Sequence, residues 1–430
     1  PWAFGPRVGL AYRAPGNMVI RAYAGRTFGA VKTTGGSTHF EGFILNRNYS
    51  SSDNSVLDFP TMLDQGLPPW PKPPFIDPTI NNDMDVHFWQ RSDAGRPSEY
   101  WTWNFDIQRE LGQSTVLSVG YTGTKGTYLS SSLNRLNQVE YKYLEQYGRD
   151  LLNSNINSPA ARAAGIPIPY PGFNSTVARA LSPFPQYQNI YTNGGQPASV
   201  GERAGNSTYH AMILKVDKRY SNGMSLLGSY VLSKQFSNAG SAAIATGGPL
   251  DHYNKRLEKS LADNDQTHVF RIAYTYDLPF GRNKYYDMGR VANAVVGGWT
   301  LSGMMNYASG MPQTVTHSYS PIGTGSRVFI TSYEGWRAPT KGEKFDPYVD
   351  VWLDASKFNQ GIPASVLNTQ FGNATRNNPK LRSPWVLDES LGLAKNISIQ
   401  ERVGFTIRME AFNLLNRVRW GNPNNNVTGA

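Results

Sequence analysis

The sequence predicts an all-β fold, an antiparallel transmembrane β-barrel to which this chain contributes about ten strands. Three observations predict it: apolar and polar residues alternate in segments of about ten residues, short and long connections alternate along the chain, and the composition is unusual. Charged residues make up 17% and aromatic residues 12% of the chain, whereas soluble proteins are about 25% charged. We therefore predict one barrel domain over residues 1–430, with no separate second domain.

The clearest alternation lies at 100–111. Trp101, Trp103, Phe105 and Ile107 share one face of this predicted strand, and Thr102, Asn104, Asp106 and Gln108 share the other. Such a strand has an apolar side and a polar side. A return strand is expected after Gly112-Gln113, so that the two form a hairpin.

Nine further segments repeat the pattern. They are 7–13, 18–26, 115–122, 210–219, 224–232, 268–278, 299–309, 385–395 and 403–409. The turn between 210–219 and 224–232 contains Asn222-Gly223, a dipeptide that favours tight hairpins because both residues tolerate positive φ. No run approaches the roughly 18 apolar residues of a spanning helix, so strands would have to cross any membrane.

The connections alternate in length. The short ones are 14–17, 112–113, 221–223, 398–401 and the longer 279–298, whereas the long ones are 27–99, 124–206, 235–267 and 310–384. Outer-membrane barrels have short periplasmic turns and long extracellular loops. This arrangement predicts an outer aromatic girdle of Trp101, Tyr121, Tyr230, Tyr307 and Trp385, and an inner girdle of Tyr12, Tyr276 and Trp299. A short amphipathic helix is expected at 139–152.

Sites for catalysis and cofactors are not indicated. The chain has no cysteine, which excludes disulfides and thiolate metal sites within it, and its six histidines lack metal-ligand spacing. Neither a G-x-S-x-G motif nor a P-loop occurs. We predict that the protein is not an enzyme and has no cofactor.

The net charge of +10 is spread along the chain without a run of five or six basic residues. This distribution predicts no nucleic-acid partner. Basic loops that contact anionic lipid headgroups or lipopolysaccharide are the simpler interpretation.

Short phrases along the whole chain resemble a known family. They include Phe4-Gly5-Pro6-Arg7, Val119-Gly120-Tyr121-Thr122-Gly123, Lys218-Arg219-Tyr220-Ser221-Asn222-Gly223, Leu278-Pro279-Phe280-Gly281, Gly298-Trp299 and Phe412-Asn413-Leu414-Leu415-Asn416. In this order they resemble the Oar-like TonB-dependent transporter barrels of Acidobacteria and Myxobacteria. The resemblance implies a barrel of about 22 strands in the bacterial outer membrane, of which this chain supplies about half.

The same resemblance implies active uptake of a solute. A plug domain and an energy-coupling box that contacts a TonB-type protein are expected upstream, and a terminal closing strand is expected after Asn422-Pro423-Asn424. A passive porin and a secreted carbohydrate-binding or carbohydrate-active β-protein remain alternatives. The cargo is open between an iron-siderophore, an oligosaccharide and a peptide.

Two sets of residues are candidates for contact with plug or cargo. The polar-face set, expected to line the lumen or face the plug, is Asp106, Gln108, Arg271, Arg408 and Glu410. The loop set, expected to stack on cargo, is Trp70, Phe88, Trp89 and Trp336. Ordinary solvation of the lumen and packing within the loops are the alternative roles of these residues.

Overall fold

A computed structural model describes most of the chain. The described residues are 3–29, 62–66, 79, 82–88, 96–131, 133–192, 203–239, 249–282, 284–287, 289–316, 325, 327–341, 345–346, 348–359, 361–400 and 403–427. The predicted cargo contacts Trp70 and Trp89 lie outside them, as does the side chain of Phe88.

Strands dominate the described residues, and we number them in chain order. They are β1 (Arg7–Ala14), β2 (Met18–Phe28), β3 (Val86–Phe88), β4 (Glu99–Leu111), β5 (Thr115–Leu129), β6 (Ile190–Thr192), β7 (Gly205–Ser221), β8 (Met224–Ser237), β9 (Ser260–Leu261), β10 (His268–Asp277), β11 (Trp299–Ala308), β12 (Pro312–Gln313), β13 (Asn378–Arg382), β14 (Val386–Gln400) and β15 (Val403–Ala411).

Among the residues that the structure describes, five α-helices accompany the strands. They are α1 (Tyr141–Leu152), α2 (Pro159–Ala163), α3 (Val177–Ala180), α4 (Gly289–Val296) and α5 (Ala364–Thr369). No helix in the described part of the chain has the length and apolar character needed to span a membrane.

One antiparallel sheet contains the ten long strands in sequential order, β1-β2-β4-β5-β7-β8-β10-β11-β14-β15. The short strand β9 pairs with Phe236 and Ser237 at the carboxyl end of β8. Each of these ten strands pairs with the next of the ten along the chain, so together they form an antiparallel meander. Within the described residues β1 and β15 are each paired on one side, and the sheet is therefore open. The all-β antiparallel fold and the ten predicted strands are confirmed.

Local chemistry explains the hairpins. Asn222 and Gly223 have φ of 52° and 75°, the pair of positive values that a two-residue turn requires. Trp103 lies opposite Gly123 across β4 and β5, and a Cβ on Gly123 would come within 2.4 Å of the indole. The absence of a side chain at Gly123 therefore leaves room for the Trp103 ring.

Pairing in register sorts the side chains onto two faces. One face is apolar. Its rows include Phe105, Ile107 and Val119 in β4 and β5, then Leu214, Tyr230 and Phe270 in β7, β8 and β10, and then Leu391, Leu393 and Met409 in β14 and β15. Many of these side chains are exposed, among them Phe105 at 46%, Ile407 at 54% and Met409 at 55%. A soluble protein rarely exposes so large a contiguous apolar surface.

All eight predicted girdle residues belong to this apolar face or to its continuation one residue before β14. Tyr230, Phe270 and Tyr307 stand in one cross-strand row. At the same end of the sheet Trp385 stacks on His268, with ring centroids 6.2 Å apart.

The connections separate by pole, as predicted. The links 15–17, 112–114, 222–223, 278–298 and 401–402 lie at one end of the sheet, and the links 29–98, 130–204, 238–267 and 309–385 lie at the other. The described parts of two of the long links contain hydrophobic cores. Leu144, Leu152, Phe173 and Val177 form a core in 130–204, and Val328, Trp336 and Phe358 form another in 309–385. The helix predicted at 139–152 is α1.

Candidate functional site

The five predicted polar-face residues all lie on the face opposite the apolar one. Asp106 and Gln108 are on β4, Arg271 is on β10, and Arg408 and Glu410 are on β15, each at a position that alternates with the apolar row. In β4 this row continues through Thr102 and Asn104. The sheet therefore has one face suited to water and one suited to an apolar surrounding.

These five residues do not form one compact site. Arg408 and Glu410 contact each other as an ion pair of 2.9 Å, and Arg271 Nε donates to Asn306 Oδ1 at 3.1 Å. Three strands separate β4 from β10 in the sheet, which is about 19 Å at the usual strand spacing. Asp106 Oδ1 is buried without a hydrogen-bond partner among the described residues. The set lines a broad polar surface.

The predicted loop residue Trp336 is 3% exposed. Its ring stacks on Tyr333 at 5.7 Å and meets Phe358 edge-on at 4.8 Å, and its Nε1 donates to the Ser332 carbonyl oxygen at 2.6 Å. The indole is therefore part of the loop core and offers no open face for stacking in this conformation.

Trp336 nevertheless lines an aromatic cleft that the sequence did not reveal. Two adjoining cavities of about 490 and 660 Å³ share Phe345, Trp352, Pro384 and Trp420 as walls. Trp385 and Trp336 line the larger one. Cavities of this size with mainly apolar walls and a few polar groups are typical of small-molecule sites.

Trp352 contributes both a ring and an N–H group to the wall of the cleft. Its ring contacts Phe345 edge-on at 5.3 Å and lies 4.3 Å from the Arg337 guanidinium carbon. Its Nε1 is buried and has no hydrogen-bond partner among the described residues. Buried N–H groups are nearly always paired, so an unpaired indole N–H in the wall of the cleft is unusual.

Asp350 stabilises the same wall of the cleft. The backbone N–H groups of Asp346 and Lys341 donate to its two oxygens at 2.9 and 2.8 Å, and these bonds hold the pKa of Asp350 below its usual 3.8. Its carboxylate stays ionised at neutral pH and holds the backbone at Lys341 and at Asp346. Sequence reasoning missed Trp352 and Trp420 because loop residues have no periodicity. The only signal was their residue type, the same that singled out Trp336.

The described parts of links 130–204, 238–267 and 309–385 contact one another, and together we call them the loop cap. Glu258, 1% exposed, pairs with Arg327 at 2.8 Å, and Asp265, also 1% exposed, pairs with Arg382 at 2.8 Å. Arg376 donates to Ser260 Oγ and the Ser237 carbonyl oxygen. Burial lowers the pKa of Arg376, and nearby acids compensate in part.

A second junction joins link 130–204 to link 238–267. Gln138 Nε2 donates to Asp251 Oδ1 at 3.0 Å, and His252 N donates to Gln138 Oε1 at 2.7 Å. His252 Nδ1 accepts from the Arg135 backbone N–H at 3.2 Å. The long links thus hold one another in place above the sheet.

The family model described as "Outer membrane beta barrel domain" matches residues 2–430. The chain belongs to this family. It is a protein of the bacterial outer membrane, where barrels have short turns on the periplasmic side and long loops on the extracellular side.

Solved structures of outer-membrane proteins align with the chain at low similarity. The ferripyoverdine receptor of Pseudomonas aeruginosa is 9% identical, with a TM-score of 0.37, over 96% of this chain and 29% of that one. The transporter YddB of Escherichia coli is 8% identical, with a TM-score of 0.37, over 93% and 35%. The alcaligin receptor FauA of Bordetella pertussis is 10% identical, with a TM-score of 0.32, over 95% and 34%.

The chain therefore spans about a third of the length of these structures. At these TM-scores the alignments carry no weight for function. None of the curated proteins compared with the chain matches it. Among the described residues, no group of three or more histidine, aspartate or glutamate side chains is placed to hold a metal ion.

Proposed function

We propose that this chain is part of a TonB-dependent transporter, which takes up a solute actively across the outer membrane. The observation that supports this most is the loop cap, an interlocked extracellular structure that contains an aromatic cleft. A plug domain and a TonB-type energy-coupling protein are the proposed partners. Lipopolysaccharide and outer-membrane lipid are the proposed surroundings of the barrel.

The construction of the cap favours selective capture over passive flow. A passive porin needs a mouth that admits many solutes, whereas this cap has two cores, buried ion pairs and a defined cleft. Ordering such loops costs conformational entropy. A structure of this kind is expected where a solute must be recognised before it moves.

Energy coupling is proposed from the resemblance to Oar-like barrels. In a transporter of that class, the polar-face residues Asp106, Gln108, Arg271, Arg408 and Glu410 would face the plug or the lumen. These roles belong to the proposal.

The chemistry of the cleft suggests the class of cargo. Trp352, Phe345 and Trp420 offer rings for stacking, and the Trp352 N–H and the Arg337 guanidinium offer donors. This combination suits an oligosaccharide, a peptide or the peptidic part of an iron-siderophore. Trp336 would support the wall without stacking on the cargo.

Uptake by whole cells tests the proposal. Cells that express the full gene would be offered a radiolabelled oligosaccharide, a radiolabelled short peptide and a ferric siderophore in turn, with and without an uncoupler of the inner membrane. We expect one probe to accumulate against its gradient and the uncoupler to abolish accumulation. Uncoupler-insensitive flux of all three probes would instead indicate a porin.

Trp352→Phe removes the N–H donor and keeps a ring. We expect binding of the transported probe to weaken by about fivefold, which corresponds to the loss of one hydrogen bond of about 1 kcal/mol. Trp103→Phe, on the lipid-facing side of β4, is the matched control and should bind as the wild type does. Equal binding by Trp352→Phe and wild type would remove Trp352 from the cargo site.

A further inference from the structure

Helix α4 (Gly289–Val296) differs from the other described helices in its position. It lies in link 278–298 between β10 and β11, at the periplasmic pole, whereas α1, α2, α3 and α5 lie in the long extracellular links. The other short links lack a helix among their described residues, and 278–298 is much longer than a hairpin turn requires.

Side chains of the lipid-facing sheet surface hold α4 at its carboxyl end. Trp299 and Lys395 lie opposite each other on β11 and β14, in the row that continues through Leu301 and Leu393. Trp299 Nε1 donates to the Val295 carbonyl oxygen at 2.9 Å. Lys395 Nζ donates to the carbonyl oxygens of Val295 and Gly297 at 2.7 and 2.9 Å. The helix is therefore attached to the outside of the barrel wall.

Lys395 also solves an electrostatic problem. It is 8% exposed, and a buried ammonium is costly unless it is paired. The last carbonyls of a helix have no partner within it and carry partial negative charge. The Lys395 ammonium and the carbonyl groups at the end of α4 therefore satisfy each other's hydrogen bonding. The ammonium also lies 5.1 Å from the centre of the Trp299 ring. A charge on the lipid-facing side is thus neutralised by the helix end.

Among the described side chains of α4, the exposed ones are apolar. Val291 is 83% and Val295 67% exposed, and Ala294 is exposed as well. These positions follow the i, i+3, i+4 spacing of one helix face. Ala292, Asn293 and Val296 are half-buried against the protein. A helix that faced water would expose its polar side chains and bury its valines.

We propose that α4 is an interfacial anchor whose Val291 and Val295 side chains insert among the phospholipids of the periplasmic leaflet. The stripe is continuous with the lipid-facing surface of the sheet through Trp299, and indoles favour the membrane interface. Interfacial helices bury an apolar face about 5–10 Å into the headgroup boundary. Exposed Arg282 and Lys284 in the same link suit anionic headgroups.

A second copy of the chain is the less suitable occupant. Two valines and one alanine on a helix of eight residues give far less area than the roughly 1,000 Å² that a stable interface needs. Lipid needs no such minimum. The proposal depends on the outer-membrane location and is independent of cargo and energy coupling.

Spin labels can measure the surroundings of the stripe directly, because the sequence has no cysteine. Single-cysteine variants Val291→Cys and Val295→Cys of the full protein would be spin-labelled and reconstituted into phosphatidylethanolamine/phosphatidylglycerol vesicles. Phe105→Cys is the lipid reference, and Tyr348→Cys, in the loop cap and 97% exposed, is the water reference. Electron paramagnetic resonance would record collision rates with oxygen and with a water-soluble nickel chelate.

We expect labels at 291 and 295 to collide with oxygen in preference to the nickel chelate, as the Phe105 reference does. Collision with the nickel chelate at the rate of the Tyr348 reference would place the helix in water and overturn the proposal. Low rates with both reagents would show that protein covers the stripe, which would overturn it as well.

Lys395→Met tests the attachment separately from the fold of the barrel. With its last carbonyls unpaired, α4 should leave the wall, so that the label at 291 becomes more mobile and moves toward water, while the Phe105 reference is unchanged. An unchanged spectrum at 291 in Lys395→Met would contradict the proposed role of Lys395.

Discussion

Arg382 shows how one side chain can hold a large loop assembly. Its guanidinium makes five hydrogen bonds, two of them to Asp265 and the others to the Pro379 and Gly310 carbonyl oxygens and to Thr267. These partners belong to two different long links. A planar guanidinium with five donors suits such a junction better than an ammonium does.

The first prediction concerns this junction. Arg382→Met leaves the buried Asp265 carboxylate without its partner, a change that costs about 3–5 kcal/mol. We expect hydrogen exchange of the backbone at 260–267 and 378–382 to accelerate accordingly. Lys380→Met removes an exposed pair with Glu334 and should leave exchange unchanged. Similar exchange in both variants would contradict the role given to Arg382.

A second prediction follows from His252, where the largest effect on the imidazole is burial. Burial and the nearby Lys255 hold the pKa of His252 below its usual 6.5. The opened loop therefore binds a proton more readily than the closed loop does. The junction is fully stable above pH 6.5 and weakens as the pH falls from there to the lowered pKa.

Hydrogen exchange at 133–138 and 249–254 should accordingly be faster at pH 5.5 than at pH 7.5, after correction for the intrinsic exchange rates. His252→Gln cannot become protonated and should lose this difference. If the variant kept the full pH response, another group would have to be its source.

At the scale of elements, residue chemistry predicted the strands well and the loops poorly. Strands such as 100–111 follow from alternation and from turn residues, both of which are local. The loop cap depends on contacts between distant residues, such as Tyr141 with Phe371 at 4.8 Å and Glu258 with Arg327. No local pattern encodes these contacts, so the cleft around Trp352 could not be located from the sequence.

The same reasoning explains why the sequence assigned the polar-face residues to one face of the sheet but did not predict how far apart they lie. Alternation assigns Asp106 and Arg271 to a face, since side chains alternate along any strand. Their separation depends on the path of the sheet between β4 and β10, which alternation within one strand does not describe. The carboxyl-end contacts of α4 with Lys395 likewise join residues 100 positions apart.

A third prediction tests the two faces of β4. Phe105→Lys places a charge on the lipid-facing side, which costs about 2–4 kcal/mol near the bilayer midplane. Asn104→Lys, one residue away, points the same charge to the polar side and should cost little. Urea unfolding in lipid vesicles would compare the two. Equal destabilisation would argue against opposite surroundings for neighbouring residues.

At the scale of the whole molecule, the account has two components. A sheet of eleven strands has an apolar face and a polar face, and it carries short turns at one end and the loop cap at the other. The free edges of β1 and β15 carry unpaired backbone groups, which lipid does not tolerate. We therefore expect further strands to complete the barrel in the full protein.

The most direct test of this account is the surroundings of successive residues along β4. Single cysteines at 101 to 108 would be labelled with a bimane fluorophore in liposomes, and quenching by aqueous iodide would be compared with quenching by a doxyl-labelled phospholipid. We predict strict alternation, with doxyl quenching at Trp103, Phe105 and Ile107 and iodide quenching at Asn104, Asp106 and Gln108. Quenching by neither reagent along the Trp103 row, or quenching without a period of two, would contradict the account.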